Sequence, residues 1–565
     1  MNRIRIIVFI GLFVVYSING FGQQINPFSY GTRKKIVTTH AVVVSAHPLA
    51  SKVGISVMQQ GGNAIDGAIA TQLALAVVYP GAGNIGGGGF MVAHLSDGKN
   101  IALDYREKAP SNATRDMYLD SMGNPQILLS QEGHLASGVP GTIAGIFAEL
   151  KYAKLPFRKL VQPAIELAEK GFAITKSQAA SLNNLRNKFL QLNKYPTAFV
   201  QKEPWKEGDT LVQKELAKTL RRIRDKGQQG FYEGITAQLI VDEMKKGKGI
   251  ISLSDLKNYQ VRERAITEFD YKGYQVLTMP LPSSGGIILQ QLLKMVADRG
   301  IGEMHFHSSE SIQLITEAER RAFADRAGWL GDPDFVKVPV KTLVSESYLK
   351  NRMKDYQPGK AGTSTMTEAG IISESEETTH FSVIDAAGNA VAITTTLNDT
   401  YGSKTVVHGA GFILNDEMDD FSVKPGVPNM YGATGNEKNA IAPGKRMLSS
   451  MTPTIVLKNG NPYLVMGTPG GTTIPTSIFQ TILNIIDYGM NAEDAVSAPK
   501  FHHQWLPDQI DMEKGFPETT IQKLEQMGYI IHLRGSIGRT DIIQVKDGKI
   551  TGIGDHRGDD DAEGY

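Results

Sequence analysis

The 565-residue chain contains no cysteine, which excludes thiol nucleophiles, thiolate metal sites and disulfide staples together. Its His, Asp and Glu residues show no HExxH-like spacing, so no metal is expected. A cofactor fingerprint is also missing. The glycine run in Y-P-G-A-G-N-I-G-G-G-G-F, Tyr79–Phe90, lacks the Lys-Ser/Thr of a phosphate loop and the spacing of a dinucleotide motif, and reads as close backbone packing. Excess charge of either sign is absent, with 59 Lys+Arg against 58 Asp+Glu. Without a basic stripe, nucleic acid is not an expected partner.

Long apolar runs are scarce as well. The run Ile6–Val15 is too short for a comfortable membrane span. Arg3 and Arg5 precede it and the small residues Gly20 and Gly22 follow it. Residues 1–22 therefore read as a secretory signal, with export to the periplasm or the medium. Hydrophobic residues make up 41% of the chain, enough for a substantial core.

What is present centres on Glu377–Asn398, E-T-T-H-F-S-V-I-D-A-A-G-N-A-V-A-I-T-T-T-L-N. A polar Gly/Ser/Thr/acid stretch, Asp355–Glu377, reads as a flexible segment. At Thr378 the pattern changes to alternating β-type residues on both sides of Gly388-Asn389, predicting a hairpin. A two-residue turn at Ala387-Gly388 pairs Thr379 with Thr396 and Thr378 with Leu397, and a turn at Gly388-Asn389 shifts this by two. Either register brings Thr396 and Asn398 close to Thr378. A cut before Thr378 would give it a free α-amine able to act as base for its own Oγ, so no separate histidine is required.

The remaining motifs are distributed along the chain. A strand at Ala41–Ser45 and an apolar helix at Gly62–Val78 precede the glycine run. L-D-Y-R-E-K-A-P, Leu103–Pro110, carries Arg106, read either as a surface charge or as a carboxylate clamp. Helical periodicity dominates from Gly141 to Lys246. A strand at Tyr274–Met279 leads into P-L-P-S-S-G-G, and a helix at Ser309–Ala327 ends at Gly328 before W-L-G-D-P-D-F. I-L-N-D-E-M-D-D-F, Ile413–Phe421, gathers four acids that suit a substrate ammonium. Tyr431 lies in a Pro/Gly-rich loop that reads as a pocket cover. G-T-P-G-G, Gly467–Gly471, joins a strand to a helix and offers bare backbone N–H groups, as an oxyanion hole needs.

Taken together and in this order, G-G-G-G-F, D-Y-R-E-K-A-P, P-S-S-G-G, G-D-P-D-F, T-T-H-F-S, M-D-D-F, L-S-S-M-T-P-T-I, G-T-P-G-G and F-H-H-Q-W-L-P-D resemble the γ-glutamyltransferase family of N-terminal nucleophile hydrolases. The resemblance runs from about Ala41 to the C-terminal D-D-D-A-E-G-Y. It implies an α/β fold, a four-layer αββα sandwich, cut between Glu377 and Thr378. A large subunit, 23–377, and a small catalytic subunit, 378–565, would stay together as one unit. By the same resemblance Thr378 is the nucleophile and Thr396 its orienting partner, while Gly470 and Gly471 form the oxyanion hole. Arg106, Ser449 and Ser450 would hold the α-carboxylate of a γ-glutamyl group. Asn398, Glu417 and Asp420 would hold its α-amine, and Tyr431 would lie in a lid. Implied partners are glutathione and other γ-glutamyl compounds, with amino acids or dipeptides as acceptors and no cofactor. Glu417 stands where some members carry Gln, Thr468 where Ser is common and Met447 where Pro is frequent, which bears on acceptor preference. The alternatives are a cephalosporin-acylase-like amidase on the same scaffold and an unprocessed, inactive binding homologue.

Overall fold

A computed structural model of the chain describes residues 25–364, 378–430, 432 and 435–565. The signal sequence, Glu377 and Tyr431 lie outside the described residues. Two seven-stranded sheets form the centre, with every pairing in them antiparallel. Their strands are β1 (Lys35–Thr38), β2 (Val42–Ser45), β3 (Gly88–His94), β4 (Asn100–Asp104), β5 (Arg262–Arg264), β6 (Thr267–Tyr271), β7 (Tyr274–Thr278), β8 (Thr379–Ile384), β9 (Ala390–Thr396), β10 (Thr454–Lys458), β11 (Asn461–Gly467), β12 (Asp541–Lys546), β13 (Lys549–Ile553) and β14 (Asp561–Gly564). One sheet has the order β1-β13-β12-β11-β10-β7-β6 and the other β14-β2-β8-β9-β3-β4-β5.

Three apolar cores separate four layers. The middle one, with Val42, Val44, Ala390, Ala392, Ile455, Val465 and Ile543, lies between the sheets. A second joins the β2/β8/β9/β3 sheet to helices Pro48–Gln59 and Ala64–Val78, and a third joins the other sheet to helices Gly285–Ala297, Ser309–Trp329 and Thr473–Ile486. Helix Ala64–Val78 is apolar all round and buried along its whole length, as a helix covered on every side must be. Its exposed backbone N–H groups are satisfied by a capping box between Asn63 and Asp66. The architecture is the αββα sandwich.

The hairpin departs from the predicted register. Thr379 pairs with Thr395 and Ile384 with Ala390, so the connection is the five-residue loop Asp385–Asn389 and not a two-residue turn. The Asp385 carboxylate closes it, accepting from Ala387 N at 3.0 Å, Asn389 N at 3.0 Å and Asn389 Nδ2 at 2.8 Å, the Asx-turn habit of aspartate. It also accepts from Ala64 N at 2.9 Å, pinning the loop to a helix start. Because five is odd, the next pair outward is Thr378 with Thr396, which puts both side chains on one face; the two-residue turn would have paired Thr378 with Leu397. Phe381, Val383, Val391 and Ile393 face the helices, whereas Ile384, Ala390 and Ala392 face the opposite sheet. Thr378 and Thr396 fall in the second set by alternation, at the mouth of the space between the sheets.

Two further readings change. The helix expected to stop at Gly328 continues through it to Trp329, since a glycine late in a well-packed helix costs only about 1 kcal/mol. The part of the Asp355–Glu377 stretch within the described residues is anchored: Gly359 N donates to Gln313 Oε1, Gly362 N to Glu317 Oε1, Ala361 N to Met527 O and Ser364 N to Asp508 Oδ2, all at 2.7–3.0 Å. Among the described residues no helix is long and apolar enough to cross a membrane.

Asp385→Ala removes the acceptor for four donors, so it is expected to lower stability by about 2–3 kcal/mol. The urea midpoint measures this, and a midpoint within error of the parent would show that the loop is held by something else.

Candidate active site

Thr378, Thr396, Asn398, Arg106, Arg326, Glu417, Asp420, Ser449, Ser450 and Gly471 line one small cavity between the sheets. Its free volume is about 20 Å³, room for roughly one water. A larger cavity of about 450 Å³ between the 193–201 loop and the 406–411 turn holds none of the predicted residues.

The Thr396 end of the hairpin is held from below by Asn84. Asn84 Nδ2 donates to Ala82 O at 3.0 Å, Thr395 Oγ1 at 3.2 Å and Thr396 O at 2.9 Å, while its Oδ1 accepts from Gly87 N at 3.0 Å and Thr142 Oγ1 at 2.7 Å. The glycines around it are a packing requirement. A Cβ on Gly87 would lie 2.1 Å from Thr396 O and one on Gly88 2.6 Å from Glu107 Oε2. Beyond Thr396 the chain turns at Asn398, whose φ of +82° is rare for a side chain. Asn398 N donates to Thr396 Oγ1 at 2.8 Å, and Asn398 Nδ2 donates to Asp416 O at 3.1 Å.

Two residues beyond Thr378, His380 is buried between the sheets, its ring nitrogens meeting Thr394 Oγ1 at 3.0 Å and Ser382 Oγ at 2.9 Å. Burial lowers its pKa to about 3, which keeps the imidazole neutral. Thr394 is thus committed to this histidine. Gly467 makes room for the ring, since a Cβ there would lie 2.2 Å from Nδ1.

Opposite Thr378, the chain from Gly467 enters Pro469-Gly470-Gly471 and then helix Thr473–Ile486. Gly470 and Gly471 have φ of +133° and +52°, a region that favours glycine. Gly470 O accepts from Thr473 N at 2.9 Å and Thr473 Oγ1 at 2.7 Å. Among the described residues neither glycine N–H is taken up by a backbone acceptor. Donors at a helix N-terminus suit a developing anion.

Charge in the cavity is arranged in a chain. The Arg106 guanidinium, 1% exposed, donates to Glu417 through Nη1 and to Asp420 through Nη2, with Glu107 Oε2 3.6 Å from Nη1. Burial opposes its charge, but Glu417, Asp420 and Glu107 outweigh that and raise its pKa. Burial also pushes the carboxyls of Glu107, Glu417 and Asp420 up, against the pull of Arg106. Arg106 is therefore a buried clamp on two protein carboxylates and not a surface charge. Ser449 and Ser450 are held by the P-S-S-G-G turn: Ser284 N and Oγ both donate to Ser449 O at 2.7 Å. Arg326 Nη2 donates to Ser450 Oγ at 3.3 Å.

The geometry brings together every predicted site residue within the described set, with Gly470 directly behind the lining. Sequence reading missed Asn84, Glu107 and Arg326. Asn84 and Glu107 sat inside quoted motifs without a distinguishing pattern. Arg326 belongs to the helix segment A-E-R-R-A-F-A-D-R, where five charges within one helix buried along most of its length were the available signal.

A family model described as "Gamma-glutamyltranspeptidase" matches residues 50–565. The "Glutathione hydrolase proenzyme" of Escherichia coli (strain K12) is 45% identical over 545 residues, covering 95% of this chain and 94% of that protein. Among solved structures, cephalosporin acylase from Bacillus halodurans superposes with a TM-score of 0.82 at 27% identity, covering 96% of this chain and 100% of the other. Helicobacter pylori gamma-glutamyltranspeptidase gives a TM-score of 0.55 at 46% identity, over 57% of this chain and 94% of that one.

Asn84→Ala strips five hydrogen bonds from the turn beneath Thr396, and a loss of about 2–4 kcal/mol is expected. Chemical denaturation of the variant tests this; unchanged stability would mean that the glycine run alone supports the hairpin end.

Proposed function

The chain belongs to the gamma-glutamyltranspeptidase family, and on that premise we propose how its residues carry a γ-glutamyl group. The enzyme is a γ-glutamyltransferase and glutathione hydrolase that is made as a self-processing precursor. Identity to the glutathione hydrolase exceeds that to the cephalosporin acylase, 45% against 27%, in favour of the γ-glutamyl reading. The observation that carries the assignment of roles is the hairpin register, which sets Thr378 and Thr396 on one face of the cavity that also holds Arg106, Asp420 and Gly471.

In maturation, Thr378 Oγ attacks the Glu377 carbonyl, the peptide bond becomes an ester, and water releases the Glu377 carboxylate and the Thr378 α-amine. The chain is thereby divided into residues 23–377 and 378–565, the leading 22 residues serving export to the periplasm or the medium. In turnover, the Thr378 amine takes the proton of Oγ, which attacks the γ-carbonyl of glutathione. The Gly470 and Gly471 N–H groups stabilise the oxyanion. As the tetrahedral intermediate collapses, the ammonium returns its proton to the leaving nitrogen and cysteinylglycine departs. The γ-glutamyl ester on Thr378 then passes to water, or to the amine of an amino acid or dipeptide. Thr396 orients the nucleophile, and Tyr431 covers the bound group.

The head group is recognised by charge. Glu107, Glu417 and Asp420 outnumber the guanidinium groups of Arg106 and Arg326, so a substrate ammonium beside Glu417, Asp420 and Asn398 relieves like-charge repulsion. Arg106 with Ser449 and Ser450 addresses the carboxylate.

Purified parent protein is expected to run as two chains, the smaller about one third of the 61.5 kDa total, and Thr378→Ala as one. N-terminal sequencing of the small band must begin Thr-Thr-His-Phe; any other start, or an Ala variant that still splits there, refutes the mechanism. Turnover is expected to rise through roughly pH 7 to 8, because an α-amine of pKa about 7.7–8.0 acts as base only when neutral. A flat profile across that range, with chemistry limiting, would assign the base elsewhere.

A further inference from the structure

The motif F-H-H-Q-W-L-P-D, Phe501–Asp508, has no part in the chemistry above, yet its first residues run along the helix that follows the oxyanion turn. Thr472, Thr476 and Gln480 fall one helical turn apart, on one face of that helix and its leading turn, and they bind the motif in order. Gln480 Nε2 donates to Phe501 O at 2.6 Å and its Oε1 accepts from Phe501 N at 3.3 Å. Thr476 Oγ1 lies 2.9 Å from His502 Nδ1. Thr472 Oγ1 donates to Gln504 Oε1, and His502 Nε2 lies 3.0 Å from the same oxygen. All of these side chains are buried.

Two features indicate that this ladder serves Gln504. A threonine at the start of a helix ordinarily turns its hydroxyl back to cap the free N–H groups of the first turn, but Thr472 makes no such bond and its hydroxyl goes to Gln504 instead. Just past Gln504 the chain breaks away at Trp505 with φ of +73°, a conformation that a bulky residue keeps only where its surroundings enforce it. His503 does so: its N donates to Glu319 Oε2 at 2.8 Å, its Nδ1 accepts from Trp505 N at 3.1 Å and its Nε2 lies 3.3 Å from Asp508 Oδ1. The other end of the Gln504 amide is covered by the chain beside Tyr431, since a Cβ on Gly432 would lie 2.8 Å from Nε2. The amide is thus wedged between Thr472 and Gly432.

Thr472 lines the small cavity directly after Gly471. Gly470 and Gly471 have no side chains by which neighbours could fix them, so the direction of their N–H groups depends on what holds the residue that follows. Resting on the γ-glutamyl reading above, we propose that Gln504 is a positioning residue for the reaction: by fixing the Thr472 hydroxyl it sets the direction in which the Gly470 and Gly471 N–H groups meet the developing oxyanion. That contact is realised in the transition state, so loosening it lowers kcat and leaves KM in place.

The test takes Gln504→Met, which keeps the length of the side chain and removes both polar ends, Thr472→Val, which keeps the shape and removes the hydroxyl, and the double variant, each as the mature two-chain enzyme with γ-glutamyl-4-nitroanilide as donor. Each single variant is expected to lose roughly 10- to 100-fold in kcat, the cost of a small misalignment, with KM within about threefold of the parent. Because one residue acts through the other, the double variant should be slower than the worse single by about twofold at most. An unchanged kcat in Gln504→Met, a loss confined to KM, or two losses that multiply in the double variant each overturn the proposal. If Gln504→Met stays a single chain, Gln504→Asn decides: it keeps the amide but withdraws it by one methylene, so kcat should fall by about 10-fold or more with KM within about threefold, and a parental kcat overturns the proposal. A parent enzyme that leaves the anilide intact would refute the γ-glutamyl reading itself, a result distinct from an active parent with an indifferent Gln504.

Discussion

The pairing of Thr379–Ile384 with Ala390–Thr396 is closed by a loop of odd length, and the side chains at the far end of the hairpin inherit that parity. With one residue fewer between the strands, Thr378 would be paired against a position whose side chain enters the helix-facing core. Asp385 therefore acts at a distance on the chemistry: its carboxylate organises the loop and ties it to Ala64. At the other end, Asn84 and the close-packed glycines hold Thr396 where β9 runs beside β3. The neutral, buried His380 fills the interior between these two constraints without offering a competing base.

The cavity's electrostatics follow from the same economy. Four ionisable groups line the small cavity and Glu107 lies just behind Arg106, and burial disfavours charge on each of them. Alternation of sign is the arrangement that limits this cost. It also makes the site responsive to a zwitterion, because a ligand carrying both charges can extend the alternation at two points, whereas a singly charged ligand can extend it at one.

Most of this site was readable from residues close together in the chain. Thr378, Thr396 and Asn398 lie on one hairpin, Glu417 and Asp420 in one turn, Ser449 and Ser450 side by side, and Gly470-Gly471 at a strand-to-helix junction, each marked by local composition. The layers were legible for a similar reason, since period-2 and helical patterns change at glycine and proline. What could not be read depends on contacts between distant segments. The loop length was decided by an aspartate bonded to a helix start more than three hundred residues earlier. The tethering of residues 359–364 rests on Gln313, Glu317, Asp508 and Met527, which no local pattern associates with it. Arg326 looked like one more helix charge because burial of a helix on nearly all sides is a property of its neighbours.

The strands on either side of Thr378 in the sequence are interleaved in both sheets. β2, from the part before Thr378, lies between β14 and β8 from the part after it; β3 is hydrogen-bonded to β9, β1 to β13 and β7 to β10. The carbonyl of the last residue, Tyr565, accepts from His40 N and Ala41 N at 3.1 Å. A chain severed at Thr378 would have neither fragment with a complete sheet of its own, so parting them requires unfolding the sandwich. Folding of the uncut chain is unimolecular, but recovery of the severed one is second order in protein and slows on dilution. The severed enzyme would then persist by the slowness of its unfolding and not by any readiness to reassemble.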